Sequence, residues 1–159
     1  MHKCIVHYSI NKIDHLSCVI KNAISKVQEA VILDSMKAFE LRLVFSELLV
    51  NALIHGNKSN PQKKAHLLIG IKEEKHNEIT FAVCDEGDGF GHRHLRCHSA
   101  IITDVDALNG RGVDLVRQFA DRIRYNKKGN KVLVHMKLEG KGCKKVKGAE
   151  TLEENAVCK

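Results

Sequence analysis

Residues 36 to 55 form a helical run that is apolar nearly all the way round, with Met36, Phe39, Leu41, Leu43, Val44, Phe45, Leu48, Leu49, Val50, Leu53 and Ile54. Such a helix has no solvent face to spare and is expected to be largely buried, so the rest of the chain must supply its cover. Asp34-Ser35 offers an N-cap before it, and Gly56-Asn57 a stop after it. Lys37, Glu40, Arg42 and Glu47 interrupt it, and no run in the chain approaches ~18 uncharged apolar residues, so no transmembrane helix is expected.

The flanking periods describe that cover. Residues 4–10 read as a short strand. From Ile13 the period becomes helical, with Ile13, Leu16, Ile20, Ala23, Ile24, Val27, Ala30 and Val31 on one face and Asp14, Lys21, Lys26 and Gln28 outward. Beyond the buried helix, Lys58 to Lys64 reads as a loop. Ala65, Leu67, Ile69 and Ile71 alternate as a strand does, and so do Ile79, Phe81 and Val83, with a hairpin at Lys75-His76-Asn77. Residues 92–109 hold no steady period. Gly110-Arg111-Gly112 opens a helix whose apolar face is Val113, Val116, Phe119 and Ala120. A strand begins at Ile123 and Tyr125, turns at Lys128-Gly129-Asn130 and returns through Val132, Val134, Met136 and Leu138. Strand pairs joined by hairpins, with helices grouped together, imply an α+β two-layer sandwich on a mixed, largely antiparallel sheet. Residues 1–139 are expected to form one domain and 140–159 a disordered basic tail.

The chain has 159 residues and a formal charge of +7, of which the tail carries +2 and the body +5. That balance suits nucleotide phosphates, nucleic acid or an acidic protein. Trp is absent and aromatics are 4%, so base-stacking recognition of nucleic acid is disfavoured. The six cysteines include no C-x-x-C pair, and the N-terminus lacks the apolar core of a signal peptide. Reduced thiols and a cytoplasmic location are expected.

Chemistry concentrates in three places. Glu47, Asn51 and His55 recur at i, i+4 and i+8 as one polar stripe on the apolar helix. A carboxylate there is costly unless paired or functional. The stripe is either a helix edge touching water or a cleft facing a ligand. In a cleft, Asn51 supplies a neutral oxygen for a hard metal such as Mg²⁺ and Glu47 orients or deprotonates a nucleophile. Asp85 continues the inward parity of Ile79, Phe81 and Val83, so it either caps the following turn or accepts a hydrogen bond from a buried ligand amine. Gly87 and Gly89 would let backbone approach a flat ring. Gly110-Arg111-Gly112 precedes a helix, where free N–H groups favour phosphate.

These pieces, in this order, resemble the GHKL ATPases. Ser46 to Asn57 is similar to their N-box, Asp85-Glu86-Gly87-Asp88-Gly89-Phe90 to their first glycine box, and Gly110-Arg111-Gly112-Val113 to their second. Within that superfamily the chain is most similar to the bacterial anti-sigma factor serine kinases. The resemblance implies a Bergerat fold binding ATP with Mg²⁺. It implies Glu47 as catalytic base, Asn51 as the Mg²⁺ ligand, Asp85 as reader of the adenine amino group, and Gly87 and Gly89 along the base. His55, Phe90 and Val113 complete the implied ATP-binding set. Gly110, Arg111 and Gly112 would contact phosphates beneath a lid at 91–109, with Arg93 and Arg96 as its candidate contacts. Where the family often has Gly-Thr before the last strand, this chain has Gly129-Asn130, and Asn130 takes the hydrogen-bonding place. The implied partners are a sigma factor and a small STAS-type antagonist phosphorylated on Ser or Thr, with homodimerisation left open. Two rival readings are a kinase-inactive ATP-dependent adaptor and the ATPase module of a two-component histidine kinase. The second needs a helical hairpin bearing a phosphoacceptor histidine, for which one helix carrying His15 does not suffice.

Overall fold

In a computed structural model, which describes residues 2–72, 78–89 and 110–138, the buried helix lies over the middle of a five-stranded sheet. The chain runs through β1 (His2–Ile10), a single 3₁₀ turn (Ile13–His15), α1 (Leu16–Ala30), α2 (Ser35–Val50) and a π-helical segment (Asn51–Gly56). It continues through β2 (Ala65–Lys72), β3 (Glu78–Asp85), α3 (Gly110–Phe119), β4 (Arg122–Tyr125) and β5 (Lys131–Lys137). The strand order is β1-β2-β3-β5-β4, and each of these pairings is antiparallel, so among the described residues the sheet is antiparallel and not mixed as expected. The strands therefore follow the alternation read from the sequence. The hairpin expected at Lys75-His76-Asn77 lies outside the described residues, as do the expected lid and tail.

Alternate residues of β1, β2, β3 and β5 point into one continuous apolar core, filled from the helix side by Val19, Ala23 and Val27 of α1 and by Leu41, Val44, Phe45 and Leu49 of α2. At its centre the rings of Phe45 and Phe81 meet edge to face, 4.8 Å apart at 89°, and both are buried. This geometry places the positive ring edge on the negative ring face and adds to the burial of both side chains. It also pins α2 over β3, the strand that ends in Asp85.

Four expectations need correction. The apolar run does not make one uniform helix from 36 to 55. Asp34 caps α2 by accepting the Lys37 N–H at 2.7 Å, but regular α-helix ends at Val50 and the last turn widens into the π-helical segment. There the Asn57 N–H donates to the Ala52 carbonyl, five residues back, at 2.8 Å. Nor is the helix buried all round, since Met36 is 66% exposed and Phe39 53%, and Ile54 is exposed as well. Among the described residues α2 packs against the sheet, α1 and α3, and these leave Met36 and Phe39 exposed. Ile13, placed on the apolar face by period, is also exposed, because the first turn is a tight 3₁₀ turn out of phase with α1. The left-handed residues after the helix are Lys58 and Ser59, with φ of 54° and 55°, and not Gly56.

Replacing Phe45 by Ala is expected to destabilise the fold by about 3–5 kcal/mol. Urea unfolding followed by circular dichroism checks this as a lower midpoint at an unchanged slope.

Candidate functional site

Two acidic centres stand along one line of backbone, from the last turn of α2 to the end of the π-helical segment. The first holds Glu47 and Asn51, both half-buried. The start of α3 closes on them: a β carbon on Gly112 would overlap the Glu47 carboxylate and stand 3.7 Å from Asn51 Nδ2. Glycine at this position is what allows a carboxylate to sit against the first turn of a helix, where backbone N–H groups lack intrahelical partners. The stripe read from the sequence thus holds for Glu47 and Asn51. His55, carried round by the wider turn, is exposed.

The second centre is built on Asp85. Its residue continues the buried series Ile79, Phe81, Val83 and is half-buried. The carboxylate lies against Gly56, where any β carbon would overlap it, and Gly87 in turn abuts the Gly56 carbonyl. The Gly87 N–H donates to Asp85 Oδ1 at 2.8 Å, so the turn-capping role considered from the sequence is real. An ionised carboxylate keeps further lone pairs for a ligand amine. Burial pushes the Asp85 carboxyl above its ordinary value, against the opposing pull of the Gly87 N–H, Lys128 and Lys63. The neighbouring acid faces the other way. Glu86 accepts the Lys64 N–H at 2.9 Å and lies 3.5 Å from His66 Nε2, and these contacts hold its carboxyl below the usual range.

Around Asp85 the backbone is tightly fixed. Its N–H donates to the Asn130 carbonyl and its carbonyl accepts from Asn130 Nδ2, both at 2.9 Å. The Glu86 N–H donates to Oδ1 of Asn57 at 2.8 Å. Gly89, at φ +78°, rests against the Lys128 carbonyl of the β4–β5 turn, a conformation and an approach that both require glycine. Asn130, expected to face a ligand, has its amide engaged by the Asp85 carbonyl and by Asn126 Nδ2 at 2.9 Å.

The remaining expected residues are placed as follows. Gly110 and Arg111 open α3, Val113 is half-buried in its first turn, and Phe90, Arg93 and Arg96 lie outside the described residues. Asn57 and Asn126 were missed as site residues. Asn57 reads as a helix stop, and no periodicity announces that it is 1% exposed. Among the described residues, no group of three or more His, Cys, Asp or Glu is arranged to hold a metal ion. Nor is any helix among them long and apolar enough to cross a membrane.

A family model described as a histidine kinase-like ATPase domain matches residues 11–136, which run from the 3₁₀ turn to Met136 in β5. No curated protein matches the chain.

The raised Asp85 sets the sign of a stability test. A carboxyl whose folded value lies above its unfolded value costs stability at high pH, and the cost disappears below the unfolded value of about 3.9. Asp85→Asn keeps an oxygen for the Gly87 N–H and removes the charge. The variant is expected to melt at a higher temperature than the parent at pH 7 in the absence of ligand. Thermal scans at descending pH should see that advantage shrink toward pH 4.

Proposed function

Because the chain belongs to the histidine kinase-like ATPase family, we propose that its two acidic centres hold the two ends of one ATP molecule, the adenine at Asp85 and the phosphates at the start of α3. The observation that carries this is the joint placement of Glu47 and Asn51 against Gly112, with Asp85 against Gly56 at the far end of the same helical stretch. Residues 51 and 56 stand at opposite ends of the π-helical segment. That separation suits a ligand with a flat amine-bearing ring at one end and a polyanion at the other. Asp85 accepts a hydrogen bond from the adenine amino group, and the backbone of Gly87 and Gly89 lies along the ring. Gly110, Arg111 and Gly112 turn helix N–H groups toward phosphate.

The amide oxygen of Asn51 at the phosphate end fits a hard cation such as Mg²⁺, which keeps several waters and takes its other oxygens from phosphate. Asn51 would hold it, and the ion would neutralise charge on the phosphate oxygens. Glu47 accepts the proton of an attacking hydroxyl as it becomes a nucleophile. In this reading the hydroxyl belongs to a Ser or Thr of another chain, a small STAS-type antagonist, with a sigma factor held in competition. The body charge of +5 suits an acidic partner surface, and that association should weaken with salt. Retention of the chain on DNA at ~0.15 M salt, with no sigma or STAS protein retained, would overturn the partner assignment.

Two variants test the site. Asp85→Asn is expected to abolish Mg²⁺-ATP binding in a calorimetric titration, because the amide sets a donor against the adenine amine or must flip away from the Gly87 N–H. Glu47→Gln should bind ATP as the parent does and lose phosphoryl transfer by ~10²–10⁴-fold, measured with labelled ATP and the partner protein. ATP binding by the parent chain with no transfer to any partner would leave an ATP-dependent adaptor in place of a kinase.

A further inference from the structure

We propose that Asn57 and Asn130 clamp the peptide group between Asp85 and Glu86 and are positioning residues for recognition of the nucleobase. The role rests on the reading of Asp85 as the adenine-facing group. The β3–β5 ladder reaches its end where the Asp85 N–H donates to the Asn130 carbonyl. The next peptide group would be free to rotate, yet both of its polar atoms are taken by side-chain amides. Its carbonyl accepts Asn130 Nδ2 at 2.9 Å, and its N–H donates to Asn57 Oδ1 at 2.8 Å. A trans peptide points these two atoms in opposite directions, so the asparagines grip it from opposite sides. One belongs to the end of the helix layer and the other to the β4–β5 turn.

Fixing this plane fixes ψ of Asp85, and the Gly87 N–H on Oδ1 fixes its side chain. The carboxylate that reads the base is left with little freedom. The jaws are themselves held. Asn57 is buried, with its own N–H on the Ala52 carbonyl. Asn130 Oδ1 accepts from Asn126 Nδ2, while Asn126 Oδ1 gathers the N–H groups of Gly129, Asn130 and Lys131 at 2.9–3.1 Å. A flip of the Asn130 amide would lose partners at both ends. Asn57 Nδ2 is buried and meets no partner among the described residues. An unmatched buried donor costs free energy. What the position returns for that cost is the oxygen on the Glu86 N–H.

A clamp of this kind acts on discrimination more than on folding. Inosine triphosphate tests it, since it carries a keto oxygen where adenine carries its amino group and is otherwise similar in shape and charge. Calorimetric titrations with Mg²⁺-ATP and Mg²⁺-inosine triphosphate are compared for the full chain and for Asn130→Ala, Asn57→Ala and Asp85→Asn. Asn130→Ala is expected to weaken ATP by about five- to tenfold, the scale of one net hydrogen bond, and to leave inosine triphosphate unchanged. Asn57→Ala should do the same. If removal of this buried side chain prevents folding, Asn130→Ala on the surface turn carries the test alone. Equal weakening of both nucleotides, or an unchanged ratio, overturns the clamp. An unchanged ratio in Asn130→Ala beside a collapsed ratio in Asp85→Asn defeats the clamp and spares the adenine reading. A parental ratio in Asp85→Asn defeats that reading and the clamp with it.

Discussion

The approach of Gly56 to the Asp85 carboxylate is the contact on which the site depends. It joins the end of the helix layer to the end of the central strand with no side chain between them. Any larger residue at either Gly56 or Gly87 would push the layers apart or swing the carboxylate away. The wide last turn of the helix delivers Gly56 to this place, and the core beneath, with Phe45 on Phe81, holds α2 in the register that makes the meeting possible. π-helical turns recur at functional sites because the extra residue redirects the backbone at a local cost in stability.

The same contact explains why Asp85 is uncomfortable. Burial raises its pKa, and the Gly87 N–H offsets this only in part. Folding therefore carries an electrostatic cost at neutral pH, and a ligand amine would relieve it. Glu86, one residue on, sits against solvent, the Lys64 N–H and His66, with its carboxyl shifted in the opposite direction. Two adjacent acids are thus shifted in opposite directions, Asp85 by burial and Glu86 by its contacts with the Lys64 N–H and His66.

The phosphate end follows a related logic. Gly112 admits Glu47 to the first turn of α3, and in the proposed reading the helix N–H groups and the carboxylate orient an anionic ligand and a nucleophile there. A carboxylate beside phosphate is repulsive unless a cation intervenes, which is the role proposed for the ion at Asn51. The match to histidine kinase-like ATPase domains supports a nucleotide as the molecule proposed for these two ends.

By itself the amino-acid sequence determined the elements and their order, because hydrophobic period is a local property. The apolar run at 36–55, the alternation at 65–71, 79–83 and 132–138, and the Asp34 cap could all be read one segment at a time. It also determined that Asp85 faces inward, by parity, and that Glu47 and Asn51 share a face, by spacing. Tertiary structure alone decided the rest. The widening of the last helical turn, which exposed Ile54 and His55, answers to contacts with Asp85 and Gly87 thirty residues away. The exposure of Met36 and Phe39 reflects which flanks of α2 the other elements cover. Asn57 and Asn130 gained their roles from one peptide group that the fold brings between them. Those are non-local facts: a hydrogen bond between distant residues has no period, so no window along the chain contains it.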